Sequence, residues 1–240
     1  DPPYNVKIDG NVSGKGKHKH REFVEASGEM SEDEFIAFLT RACQRLMQNL
    51  ANGALAYLFM DGAHLFELMS AARAAGLTQK SLCTWAKTNA GMGSFYRSQT
   101  EHVLVLKAGA GAHTNNIQLG RFGRNRTTLW TYPGANSFGR NRDAALAQHP
   151  TVKPVGLIAD AILDASKKNE LVLDPFAGSG STLLAAHRVG RRAAGIELDP
   201  LYVDGALARI HAATGLDFVR GSDGARWSEV IAESTTEGAS

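Results

Sequence analysis

Two short stretches of this sequence gather residue types able to do chemistry on a nitrogen atom. One is Asp1-Pro2-Pro3-Tyr4. Proline fixes φ, donates no hydrogen bond and pushes the residue before it out of the helical region, so the acid and the ring are held in a stiff bracket. The Asp1 carboxylate and the Pro2 carbonyl can accept from an exocyclic amine, and the Tyr4 ring offers a flat face to a planar base. Taken alone, these four residues fit a rigid turn equally well. The other stretch is LVLDPFAGSGSTLLAAHRVGRRAAGIELD, residues 171–199. Its apolar strand ends at Asp174, Gly178 and Gly180 permit a tight turn beneath a ligand, a helix starts near Ser181, and a second strand ends at Glu197. An acid at that point can accept both hydroxyls of a ribose.

The spacing discriminates among nucleotides. The third glycine of a dinucleotide fingerprint would fall at position 183, which is Leu183, and the loop lacks the lysine of a triphosphate-binding loop. A nucleoside without phosphate suits it better, and S-adenosyl-L-methionine is such a ligand. Gly178 and Gly180 would also serve a plain strand-to-helix turn. The histidines are scattered without ligand spacing, so no structural metal is expected. Cys43 and Cys83, the only cysteines, lie in apolar surroundings outside any Pro-Cys loop, which disfavours attack through a ring carbon.

These residues need a frame to position them. Ser31 with Glu34 matches a capping box, followed by Phe35, Phe38, Leu39, Ala42 and Leu46 at helical spacing. The run ALAYLFM (54–60) reads as a strand covered on both faces. A helix over 63–75, a strand near 81–86 and a strand over 101–109 follow. The stretch 109–150 breaks this alternation, and irregular structure is expected there. Helix 154–166, strand 171–174, helix 181–189, strand 193–197 and helix 201–213 restore it. The order implies an α/β fold, a mostly parallel twisted sheet with helices on both faces.

The 240 residues carry a formal net charge of only +2, but the basic residues are unevenly spread. Lys15, Lys17 and Lys19 lie in a glycine-rich stretch over 10–30, read as a mobile loop. Arg121, Arg124, Arg126, Arg140 and Arg142 fall in a run without acids. Two basic patches on a near-neutral chain suggest an anionic polymer meeting a defined face; two solvated loops are the plainer alternative. Apolar runs are too short to span a bilayer, so no membrane partner is expected.

DPPYNV, the loop FAGSG with Phe176, and HPTVKP (149–154) together resemble the amino-specific DNA methyltransferases of the N-4/N-6 family. The tetrad precedes the glycine loop, which resembles the permuted (beta) class, and WAKTNAGMGSFYRSQTEHVLVLKAG (85–109) is similar to bacterial or phage methylases carrying a ParB-like domain. The resemblance covers nearly all of residues 1–220. One departure is Thr100-Glu101-His102, where the family leads one to expect Gln-His-Glu.

The resemblance implies a Rossmann-like S-adenosylmethionine-dependent methyltransferase fold acting on double-stranded DNA. The target would be the N6 amine of adenine, because the tetrad begins with Asp; N4 of cytosine is the alternative. It places Phe176 along the cofactor adenine, Glu197 on the ribose, His149 and Lys153 near the methionyl end, and Asp174 on the cofactor's ammonium. Residues 1–226 would be the catalytic domain, with a DNA-recognition insertion over 110–148, a cofactor-binding half over 149–226, and a weakly ordered tail over 227–240. The arginines above and Arg97 are candidate DNA contacts, and MGSFYR (92–97) a candidate closure over a flipped base. The tetrad is expected to follow a buried strand, so a preceding segment is anticipated. A bacterial or phage cytoplasmic setting, with DNA modification paired to restriction, would be ordinary for such an enzyme. Homodimers are common in the proteins it resembles, although no patch here demands one. Rival readings are an amine methyltransferase for RNA or a protein glutamine, an inactive DNA-binding module, and a nicotinamide oxidoreductase. The methyltransferase reading requires Tyr4 and Phe176 to share one side of the molecule.

Overall fold

Ser31 begins the first helix as the sequence suggests. The Glu34 amide donates to its hydroxyl oxygen while its own N–H donates to the Glu34 carboxylate, so two otherwise orphaned donors at the helix start are satisfied. The computed structural model describes residues 1–7, 23–91, 95–121, 125–134 and 152–237. In chain order its elements are α1 (Glu32–Asn49), β1 (Leu55–Met60), α2 (Leu65–Ala74), β2 (Thr78–Lys87), β3 (Thr100–Lys107), β4 (Leu129–Tyr132), α3 (Val155–Ala165), β5 (Leu171–Asp174), α4 (Ser181–Arg188), β6 (Arg192–Gly195), α5 (Pro200–Thr214) and α6 (Trp227–Glu237). The last of these occupies the segment expected to be weakly ordered, with Trp227 against His211 of α5.

β1, β3, β2 and β4 form one sheet in that order, and β5 with β6 a second. Strands β1, β2 and β4 run one way. β3 is reversed against both neighbours, because the link from β2 contains no crossover helix and so returns the chain antiparallel. β5 and β6, joined through α4, are parallel. β4 lies inside the stretch expected to be irregular. Its pairing with β2 sets Trp130 beside Trp85, and burial of both indoles outweighs the surrounding turn-forming composition. Each indole N–H is satisfied, Trp85 by the Tyr132 carbonyl and Trp130 by the Thr127 carbonyl.

Residues Val103 to Leu106 are buried without alternation because β3 is covered on both faces. Leu104 and Leu106 join Leu58, Met60 and the apolar stripe of α1 (Phe35, Leu39, Cys43, Leu46) with α2. Val103 and Val105 join Phe59, Cys83, Trp85 and Trp130 against Leu157, Ile158, Ala161 and Ile162 of α3 and Ala185 and Ala186 of α4. α3 therefore connects the larger sheet to the β5–β6 unit. Its C-terminal end is held by Asn116, whose side-chain amide donates to the carbonyls of Leu163 and Ser166.

Candidate active site

The ends of β2 and β3 and the approach to α3 converge on the opening tetrad. Lys153, two residues before α3 and only 6% exposed, places Nζ 2.9 Å from Asp1 Oδ1 and 3.1 Å from Glu101 Oε2. Glu101, near the start of β3, also receives Lys87 Nζ from the end of β2, at 2.6 Å. The Tyr4 hydroxyl lies 2.9 Å from Asp1 Oδ1 and 2.9 Å from Glu101 Oε2. The Lys153 ammonium sits over the rings of Tyr4 and Phe59, a contact that favours its charge. Two acids and two ammonium groups therefore balance around one phenol.

Their environment fixes protonation. Burial alone would raise the Glu101 carboxyl, but the ammonium groups of Lys153 and Lys87 outweigh it and bring the pKa down to about 2. Burial, reinforced by the charge and hydrogen bond of Glu101, keeps the Tyr4 phenol well above its ordinary range. Tyr4 is thus a hydrogen-bond donor and Glu101 a permanent anion. Burial pushes the Cys43 thiol up to about 11 and raises Cys83, so neither buried thiol is a ready nucleophile.

The glycine loop stands beyond the carboxyl ends of β5 and β6. Gly178 and Gly180 both have positive φ, 48° and 73°, and Gly180 caps α4. A Cβ on Gly180 would come to 3.0 Å of Ala206 Cβ, so this glycine also permits close approach of α5. The close helix–strand packing that a third loop glycine would provide at 183 is supplied from the other side. A Cβ on Gly195 would meet Leu183 Cδ1 at 2.9 Å, so strand β6 carries the glycine and the helix the bulk. Glu197 lies two residues past β6 rather than closing it. Its Oε2 accepts the Gly178 amide at 2.7 Å and its Oε1 the Asp199 amide at 3.0 Å. Asp174 accepts the Phe176 amide at 3.0 Å. Each carboxylate keeps further lone pairs for a ligand. Acids at both strand ends without a lysine in the loop fit the hydroxyls and ammonium of a nucleoside–amino-acid cofactor and oppose a phosphate.

The two centres meet at one buried cluster: Tyr4 and Leu173 pack on it with Phe38, whose ring centroid is 6.2 Å from that of Phe176. Lys153, expected near the methionyl end of a cofactor, has its ammonium on Asp1 and Glu101. Glu101 and Lys87 were not among the sequence candidates. The sequence hints were the departure at Thr100-Glu101-His102 and an acid at the mouth of a strand apolar at four of its next six residues, HVLVLK.

The candidate DNA contacts divide. Arg97 donates to the carbonyls of Gly91 and Ala90 at the exposed β2–β3 loop, and Arg121 is exposed beside Gln118. Arg126 is turned inward: it pairs with Asp164 at 2.5 Å and Asp160 at 3.6 Å, and its guanidinium covers the Trp130 ring at 5.0 Å. This pairing holds Arg126 against α3, with 24% of its side chain exposed. Lys15, Lys17, Lys19, Arg124, Arg140, Arg142 and His149 lie outside the described residues. Among the described residues, no cluster of three or more His, Cys, Asp or Glu side chains could hold a metal, and no helix is long and apolar enough to cross a membrane.

Residues 1–208 match the profile of the N6/N4 methyltransferase family, described as DNA methylase. The chain belongs to this DNA methylase family. Over 90 residues it is 36% identical to the type II methyltransferase M.ScaI of Streptomyces caespitosus, a stretch covering 38% of this chain and 30% of that protein. The solved M1.HpyAVI–SAM complex superposes with a TM-score of 0.62 at 22% identity, covering 74% of this chain and 84% of that one. PvuII DNA methyltransferase, cytosine-N4-specific, gives 0.65 at 16% identity, covering 85% and 76%. At these identities the two structures speak for the fold alone, which is the Rossmann-like fold of S-adenosylmethionine-dependent DNA methyltransferases.

Proposed function

We propose that this methylase transfers a methyl group from S-adenosyl-L-methionine to the N6 amine of adenine in double-stranded DNA, with the target base turned out of the stack. The observation that supports the reading is that the tetrad and the glycine-loop unit meet at one buried cluster, where Tyr4 and Leu173 pack with Phe38 beside Phe176, with the ionised Glu101 against Tyr4. When bound, the cofactor supplies a methyl group on a sulfonium, with a neutral thioether as leaving group. Glu197 would hold the ribose hydroxyls, Asp174 the ammonium, and Phe176 would flank the adenine. His149 belongs with these by resemblance.

The target nitrogen gains one carbon bond and sheds one proton to water. Asp1 and the Pro2 carbonyl would accept from the amine and so aim its electron pair, and Tyr4 would stack on the base. Asp1 is an orienting acceptor here. Its neighbours Lys153 and Tyr4 already donate to it, which opposes a role as a strong base. An amine inside a duplex cannot reach such a pocket, so the base must flip. Phe95 and Tyr96, 84% and 83% exposed on the β2–β3 loop with centroids 4.3 Å apart, supply rings able to stack on bases at the opened site. Arg97 and Arg121, with the basic segments carrying Lys15, Lys17, Lys19, Arg124, Arg140 and Arg142, would meet phosphates.

The permuted motif order, a homodimer, and a place in restriction–modification belong to this same reading. N4 methylation of cytosine is the second reading, supported by the fold shared with the PvuII enzyme. Methyl-labelled cofactor, incubated with duplexes containing either adenine or cytosine as the sole base with an exocyclic amine other than guanine, decides between them. Label in N6-methyl-2′-deoxyadenosine after digestion is the expected result; label in N4-methyl-2′-deoxycytidine moves the activity to the second reading. Tight duplex binding without label would leave a binding module.

A further inference from the structure

The arrangement around Tyr4 poses a problem of hydrogen-bond supply. Its hydroxyl has one proton, yet it lies 2.9 Å from an oxygen of Asp1 and 2.9 Å from an oxygen of Glu101. It can donate to only one anion at a time. Lys153, with three protons, reaches the same two oxygens, Asp1 Oδ1 and Glu101 Oε2. Every donor on Asp1 Oδ1 therefore has a second acceptor within reach, and that acceptor is Glu101. Glu101 is itself held by Lys87 from β2, so it stays in place whatever Asp1 does.

We propose that Glu101 is a positioning residue for methyl transfer, taking the load of Lys153 and Tyr4 so that Asp1 is released to the target amine. The idea rests on the transferase reading above and concerns the same site. Charge argues the same way as geometry. Among the groups in direct ionic contact, Asp1, Glu101, Lys87 and Lys153 sum to zero, whereas Asp1 with the two lysines alone would carry one net positive charge. The amine nitrogen becomes positive as its new bond forms, so an ammonium left without its carboxylate in this cluster would oppose the transition state more than the ground state. Glu101 touches no reacting atom. It acts through Lys153 and Tyr4.

The test measures methyl transfer to adenine-containing duplex DNA by the purified protein and three variants. Thermal melting and cofactor affinity are followed in each. Glu101→Gln should lower kcat by about 30-fold or more while changing cofactor affinity by less than about 3-fold, because a transition-state charge term has been removed and the glycine loop left alone. Adding Lys153→Met to Glu101→Gln restores neutrality and should recover about 10-fold of that loss. Glu101→Asp keeps the charge at reduced reach and should stay within about 5-fold of wild type. A role in shape alone predicts the opposite ranking, with the isosteric Gln best and Asp worst, and no recovery in the double variant; either result overturns the proposal. If Glu101→Gln does not fold, Glu101→Asp and the double variant still decide: both active supports it, both inactive overturns it. Wild-type protein that transfers no label to duplex DNA sinks the transferase reading and this one together. An active wild type with an undiminished Glu101→Gln sinks this one alone.

Discussion

The two ends of α3 each gather cations and carboxylates, and they do opposite things. At the N-terminal end, Lys153 reaches away from its own helix to acids on the opening tetrad and β3. At the C-terminal half, Arg126 reaches in from the loop before β4 to two acids of the helix itself, Asp160 and Asp164. The first cluster is closed by direct pairing. The second opens on a cavity of about 740 Å³ lined by Asn116, Gln118, Arg126, Asp160, Asp164 and Arg191 among others. That cavity lies near the start of β6, at the end away from the glycine loop. A cavity is thus a poor guide to chemistry here: the end that opens on one is a structural clasp, and the closely paired end holds the groups suited to a reaction.

Removing the cation from each end is the sharpest way to break this contrast. Lys153→Met leaves Glu101 with Lys87 alone and Asp1 without its ammonium, and should cost about 3 kcal/mol in denaturant unfolding, the low end of the penalty for breaking a buried pair. Survival without loss would mean that the acids are better solvated than the structure indicates. Acid titration follows in size. Glu101 sits at about 2 when folded against an ordinary 4.5, so its stabilisation is whole above about pH 4.5 and disappears as pH falls toward 2. The folded protein should lose on the order of 3 kcal/mol over that window from this group. Glu101→Gln should flatten that part of the stability–pH curve.

Glu197→Gln should weaken S-adenosylmethionine binding about 10- to 100-fold in calorimetry, as expected for hydrogen bonds to a charged acceptor. A smaller change would place the ribose elsewhere. Arg126→Met should cost about 1–2 kcal/mol, since Asp160 is partly solvated while the nearer Asp164 is 15% exposed, and should leave the salt dependence of duplex binding unchanged. A salt slope reduced by about one would return Arg126 to the DNA contacts. Least of all on stability, Phe95→Ala with Tyr96→Ala should stay within about 0.5 kcal/mol, while weakening duplex binding measurably.

The contrast also shows what was readable in advance. The capping box at Ser31, the strands 54–60 and 171–174, and the turn at Gly178 and Gly180 follow from neighbours in sequence, and local spacing suffices for them. Tyr4 and Glu101 are 97 residues apart, and their meeting depends on the register of β3 against β2. No periodicity announces that. Lys153 was singled out from its motif, but the partner of a cation cannot be read until the sheet is closed. Arg126 is the converse case: a run of arginines without acids shows no partners until a helix from further along the chain supplies Asp160 and Asp164. Leu183 excluded a dinucleotide loop by its bulk, yet the glycine that accommodates that bulk, Gly195, became evident only once α4 lay on β6.

α3 has 11 residues, and an α-helix advances 1.5 Å and turns 100° with each. A single residue inserted near its middle would leave both termini intact as sequences but rotate everything ahead of it by more than a quarter turn. Lys153 would then be turned away from Asp1, and Leu157 and Ile158 would be carried off the cluster that Ala161 and Ile162 still met. The length of this one helix is therefore set twice over, by the ammonium ahead of its first turn and by the apolar face it shares with the sheet.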